Sequence, residues 1–142
     1  MSDVKLVAIF SENKQGQMAR ITKLLAEAGI NIRWVTIATG ETFGVIKFLL
    51  DQNEAAYAAL KKKKYTVSLI DVLAIEVRDK PGGLHAVVAC LAKNKINVAN
   101  ASGFVSNGRA VLLIETADAV QARQILEKQH LHLLTQEEVM NL

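Results

Sequence analysis

The chain repeats itself. Asn13-Lys-Gln-Gly-Gln-Met18, leading through Leu25-Ala26 to Ile30-Asn31-Ile32, returns as Asp79-Lys-Pro-Gly-Gly-Leu84, leading through Leu91-Ala92 to Ile96-Asn97-Val98, with an offset of 66 throughout. A repeat of this kind constrains the fold more than any other feature, because each copy must form the same supersecondary unit. The offset places Val7 and Ile9 on Leu73 and Ile75, Val45 on Val111, and Ala56, Ala59 and Leu60 on Ala122, Ile125 and Leu126. All are apolar, as shared core positions require. At 142 residues the length allows one average domain or two very small ones, and the repeat selects two, residues 1–70 and 71–142.

Both copies carry the same order of signals. Leu6 to Phe10 reads as a strand; Met18, Ile21, Leu24, Leu25 and Ala28 recur at helical spacing after a Gly16 loop, and Gly29 ends that helix. Ile32 to Thr39 and Phe43 to Leu50 are rich in β-formers on either side of a Gly40-Glu-Thr turn signal. Asp51 to Asn53 can cap a helix through Leu60, and Tyr65, Val67 and Leu69 alternate as a fourth strand. The second copy predicts a strand from Val72, a helix from Leu84, a strand from Val98, a hairpin turn at Asn107-Gly108, a strand from Ala110, a helix from Asp118 and a strand near Leu131. Thr135-Gln-Glu-Glu138 is a capping-box pattern and predicts a short C-terminal helix.

The order β-α-β-β-α-β in each copy is the ferredoxin-like pattern, so the fold class is α+β: two tandem domains, each an antiparallel sheet with both helices on one face. Apolar residues occupy both parities of the first strand, which predicts burial on both sides. Apolar area left over on so small a unit suggests a homodimer.

The loop between first strand and first helix carries the chemistry. Gly16 in one copy, and Gly82 with Gly83 in the other, expose backbone at a helix N-terminus, where unpaired N–H groups favour an anion such as a carboxylate. Asn13 and Asp79 offer oxygen acceptors suited to an ammonium group. A single such loop is more simply a tight turn and cap; its recurrence raises the binding reading. Pro81 stiffens the second loop and Asp79 adds a charge, so the second loop is expected to be the better site.

At these residues both copies resemble ACT domains, small regulatory modules that bind amino acids. The resemblance rests on Asn/Asp-x-x-Gly before a helix and an Ile-Asn-Ile or Ile-Asn-Val at the second strand, at positions 13, 16 and 30–32 and again at 79, 82 and 96–98. It implies a ligand held where paired domains meet. Asn13, Gly16, Gln17 and Met18 would work with Asn97, and Asp79, Pro81, Gly82, Gly83 and Leu84 with Asn31. Members that respond to amino acids can carry His two positions before the loop Asn; here those positions are Ser11 and Val77. The resemblance also implies a free-standing sensor or the regulatory subunit of a metabolic enzyme, with no cofactor or metal of its own.

Charge and composition limit the alternatives. Seventeen Lys and Arg against 14 Asp and Glu leave +3, but removing Lys61 to Lys64 from the count turns this into −1. The basicity is therefore one run at a helix end, where the dipole favours cations. No apolar run approaches the roughly 20 residues of a membrane span, and the N-terminus has no cleavable apolar segment, so a cytoplasmic protein is expected. The single Cys90 excludes an internal disulfide and any CxxC site, and falls on the apolar stripe of its helix.

The strongest rival is RNA binding, because the RNA-recognition fold shares the element order and reads bases with aromatics on its third and first strands. Thr42-Phe-Gly-Val-Ile-Lys-Phe48 imitates the third-strand motif in part, but Glu41-Thr42 stands where the basic-Gly opening belongs and Val45 replaces an aromatic, so Phe43 reads as a buried or interface side chain. For an enzyme there is little. His85, His130 and His132 read as surface histidines without a carboxylate or thiol to complete a metal set, and Trp34 beside Arg33 reads as packing. A purely structural dimerisation module is the third class.

Overall fold

The computed structural model describes residues 4–142. Contacts divide them into two compact units, Lys5–Ile70 and Asp71–Leu142, each with its own core.

In the first unit the chain runs β1 (Val4–Glu12), α1 (Gln17–Glu27), β2 (Ile32–Thr39), β3 (Phe43–Leu50), α2 (Asn53–Lys62) and the beginning of β4 (Thr66–Val77). The strand order is β2-β3-β1-β4, and β3 pairs antiparallel with both β1 and β2. Ile9 stands opposite Ile46 and Val7 opposite Phe48, so the period-two apolar set of each strand meets on one face. Ile21 and Leu25 of α1 and Ala56 and Leu60 of α2 close that face into a core. Each fully buried Ile or Leu among them contributes about 1.5–3 kcal/mol. The other parity, Leu6, Ala8 and Leu49, is buried as well, as the apolar run in β1 requires.

The second unit continues from β4 through α3 (Gly83–Lys93), β5 (Asn100–Ser106), β6 (Arg109–Glu115), α4 (Ala119–Lys128), β7 (Leu133–Leu134) and α5 (Gln136–Met140). Its order is β5-β6-β4, with β7 pairing β4 over Ala74–Leu134 and Ile75–Leu133. Leu73, Ile75, Val87, Leu91, Leu112, Ile114, Ala122 and Leu126 form its core. The repeat extends to the backbone: Gly16 and Gly82 share the left-handed conformation at φ 80° and 87°, as do Gly29 and Lys95 at 73° and 61°, and Lys64 and His130 at 66° and 58°.

Several local expectations change. The strands expected from Tyr65 and from Val72 are one strand, β4, without a break at Ile70. The strand expected from Val98 starts at Asn100, because the Thr116 hydroxyl takes the Asn97 carbonyl at 3.0 Å and the ladder opens with Asn100 opposite Glu115. Asp51 to Asn53 supply no side-chain cap to α2; Asp51 instead accepts the Asn31 N–H at 3.0 Å. Of the two readings of Phe43, burial within the chain is excluded: it is 61% exposed, since its parity on β3 is that of Val45 and not of the core-facing Ile46. Cys90 is only half-buried, at the rim of α3. Asp118 does cap α4, accepting from the Gln121 N–H at 3.0 Å, and Thr135 with Glu138 completes a capping box at α5. Asn107 and Gly108, at φ 52° and 74°, make the hairpin turn between β5 and β6.

Candidate functional site

Both glycine loops line concavities, of very different size. In the second unit Gly82 turns left-handed at φ 87° and ψ −8°, no side chain caps α3, and the loop borders a cleft of about 470 Å³. Lys80, Pro81, Gly82 and Gly83 form one wall and His130, Leu131 and His132 the other. Gly83 is there for a steric reason, since a Cβ at this position would stand 1.9 Å from the Arg78 carbonyl oxygen. Leu84 points away and is 53% exposed, and Asp79 is outside the lining.

In the first unit the loop borders a different and smaller space of about 50 Å³, on its β2–β3 side, lined by Asn13, Gln17 and Met18 together with Ser11, Ile37 and Ile46. Gln17 occupies the position equivalent to Gly83 and fills the opening: its Nε2 donates to the Ser11 hydroxyl at 2.7 Å, while its Oε1 accepts from Nε and NH2 of Arg20 at 3.1 and 2.7 Å. Asn13 is spent on the β2–β3 turn, donating from its main-chain N–H to Thr42 O at 2.9 Å and from Nδ2 to Gly40 O at 3.3 Å. Gly16 shapes the turn and is outside the lining. Asn31 and Asn97 are exposed and neither borders the loop of its own unit.

The second cleft carries two fixed cations. Arg78 and Lys80 line it beside His130 and His132, and its one carboxylate, Glu76, is committed elsewhere. Arg109 donates to both Glu76 oxygens, Nε to Oε2 at 2.9 Å and NH2 to Oε1 at 2.8 Å. These bonds outweigh desolvation and hold the Glu76 carboxyl below its ordinary range. His132 meets Glu138 at 3.1 Å, which likewise lowers the Glu138 carboxyl. Neither histidine was expected at a site from its own neighbourhood in the chain. The signal was in the offset, which maps His130 and His132 onto Lys64 and Thr66 at the start of β4, the strand next to β1 in the sheet order and so beside the strand that ends in the loop.

Residues 2–142 match the sequence profile of the ACT domain pair. The chain belongs to this family of regulatory domains. By structure this ACT pair is similar to a protein from Bacteroides thetaiotaomicron at 27% identity and TM-score 0.92, covering 99% of this chain and 97% of that one. The regulatory subunit of aspartate kinase from Thermus thermophilus, in its ligand-free form, shares the fold at 16% identity and TM-score 0.59, over 90% of this chain and 93% of that one. The corresponding subunit from Thermus flavus gives 15% and 0.59, over 90% and 93%. No curated protein matches the sequence. Among the described residues no helix is long and apolar enough to cross a membrane.

Proposed function

We propose that this ACT pair is a sensor that binds a small ligand, an amino acid, in the second unit, and regulates a separate metabolic enzyme without catalysis of its own. The observation that carries this reading is the open cleft of about 470 Å³ between the Gly82 loop and residues 130–132. A carboxylate entering it meets Arg78, Lys80 and the uncapped start of α3. The metabolic partner follows the role of the aspartate kinase regulatory subunits that share the fold. The family resemblance further assigns Asn31 to the ligand of the second loop and Asn97 to that of the first.

A thermal-shift screen of the amino acids tests the reading. A ligand bound only by the folded state adds about 2.7 kcal/mol at a hundred times its dissociation constant, so one or a few amino acids should raise the midpoint clearly. If none does, the purely structural module takes precedence. We also infer a homodimer, because Phe10, Phe43 and Val105 expose apolar surface; a monomer by light scattering at micromolar concentration would remove it.

A further inference from the structure

We propose that the basic cleft between α1 and the end of α2 docks an acidic segment of the protein that this chain regulates; the inference rests on the regulatory reading above. Lys61 to Lys64, read alone, is a solvated helix end. The fold instead sets Arg20 and Lys23 of α1 beside Lys63 in a cleft of about 330 Å³ that Leu24, Glu27 and Tyr65 complete. Three cations thereby line one cleft with a single carboxylate, and Lys61, Lys62 and Lys64 adjoin Lys63 in the chain, whose net charge without the lysine run is −1.

Local pairing leaves most of that charge unbalanced. Lys23 reaches Glu27 at only 3.9 Å, both side chains well exposed, a geometry worth little in water. Lys61 lies 5.7 Å over the Tyr57 ring. Crowded like charges oppose folding by a few tenths of a kcal/mol per pair, so the cluster is better matched to an external anion than to stability. The floor of the cleft is apolar and anchored, since Leu24 and Tyr65 both pack against the first core. Carboxylates with an apolar side chain between them fit such a surface. A nucleic acid is the poorer fit, because neither Tyr57 nor Tyr65 stands out as an exposed ring for stacking: both are partly buried against the first core. Arg20 connects this surface to the first loop: the guanidinium that lines the cleft also bonds Gln17, which seals the small pocket through Ser11. A partner carboxylate that takes Arg20 competes directly with that seal.

Fluorescence anisotropy with a labelled glutamate-rich peptide carrying interspersed leucines tests the proposal on the full chain. We expect salt-sensitive binding that Lys23→Glu/Lys63→Glu weakens by roughly tenfold or more, while the charge-matched Lys93→Glu/Lys128→Glu, neither of which lines the cleft, shifts it by less than about twofold. The Lys→Gln set at the same two cleft positions should show the same direction and guards against misfolding, checked by circular dichroism. No binding, equal loss in the cleft and control variants, or preferential binding of labelled oligouridine lost in the cleft variant would each overturn it. Amino-acid thermal shifts on the cleft variant keep the two readings separate, because a ligand site in the second unit should still respond when docking is lost.

Discussion

Gln17 donates its side-chain amide to the hydroxyl of Ser11 at 2.7 Å, and Ser11 is the one buried polar residue among the described residues of the chain. Without Gln17 the hydroxyl keeps its 3.3 Å bond to the Glu12 carbonyl but loses the amide it accepts from, and one such bond is worth about 0.5–1.5 kcal/mol. Gln17→Ala should therefore lower stability by about that amount in chemical denaturation. An unchanged denaturation midpoint would show that the bond contributes nothing.

Two adjacent glycines should respond very differently to the same added methyl. At Gly82 a Cβ meets nothing within 4 Å, so Gly82→Ala should cost only the left-handed strain of about 1–2 kcal/mol. At Gly83 the Cβ would sit 1.9 Å from a backbone oxygen, so Gly83→Ala should reach or exceed the ~1–3 kcal/mol typical of overpacking. Denaturant midpoints of the two variants compare them directly, and equal losses would contradict the steric account.

The bidentate Arg109–Glu76 pair sets an acid limit. Because the folded Glu76 carboxyl titrates below its ordinary value of 4.5, the pair contributes stability that is present above that pH and is lost as pH falls through the depressed folded value. Arg109→Met should be less stable at neutral pH and should lose stability less steeply below pH 4.5 than the parent. Parallel acid-side slopes in thermal melts of the two proteins would argue against the pair.

Asn31→Ala should weaken a ligand that binds the Gly82 loop, and Asn97→Ala should leave it unchanged, if the family assignment holds. Calorimetry with the amino acid found by thermal shift decides between them. Weakening by Asn97→Ala alone would reverse the assignment.

The parts of the fold that the sequence made legible are those where local chemistry and packing agree. Ile32–Thr39 and Phe43–Leu50 begin and end where the β-formers do, and the capping box at Thr135 forms with both of its hydrogen bonds. The misjudged boundaries lie where a side chain from a distant position intervenes: Thr116 holds Asn97 out of the β5 ladder, and Asp51 turns to Asn31 and leaves the start of α2 uncapped. At the candidate site the loops were legible as a motif, but their unequal openness was not. The cleft on the second loop depends on two histidines separated from it by most of the length of that copy, and the first loop is held by the bond from Gln17 to Ser11.

The two-residue β7 has a kinetic consequence. Its pairing with β4 covers only Ala74–Leu134 and Ile75–Leu133, extended by the Glu76 N–H to His132 O bond at 2.9 Å, whereas β6 pairs the same strand from Leu73 to Val77. So short an edge opens at small free-energy cost, long before the core around Ile75 lets go. In native-state hydrogen exchange the Leu133 and Leu134 amides should trade deuterium well ahead of the central β4 and β6 amides, and a molecule seated against His130 and His132 should slow that clock at this edge first.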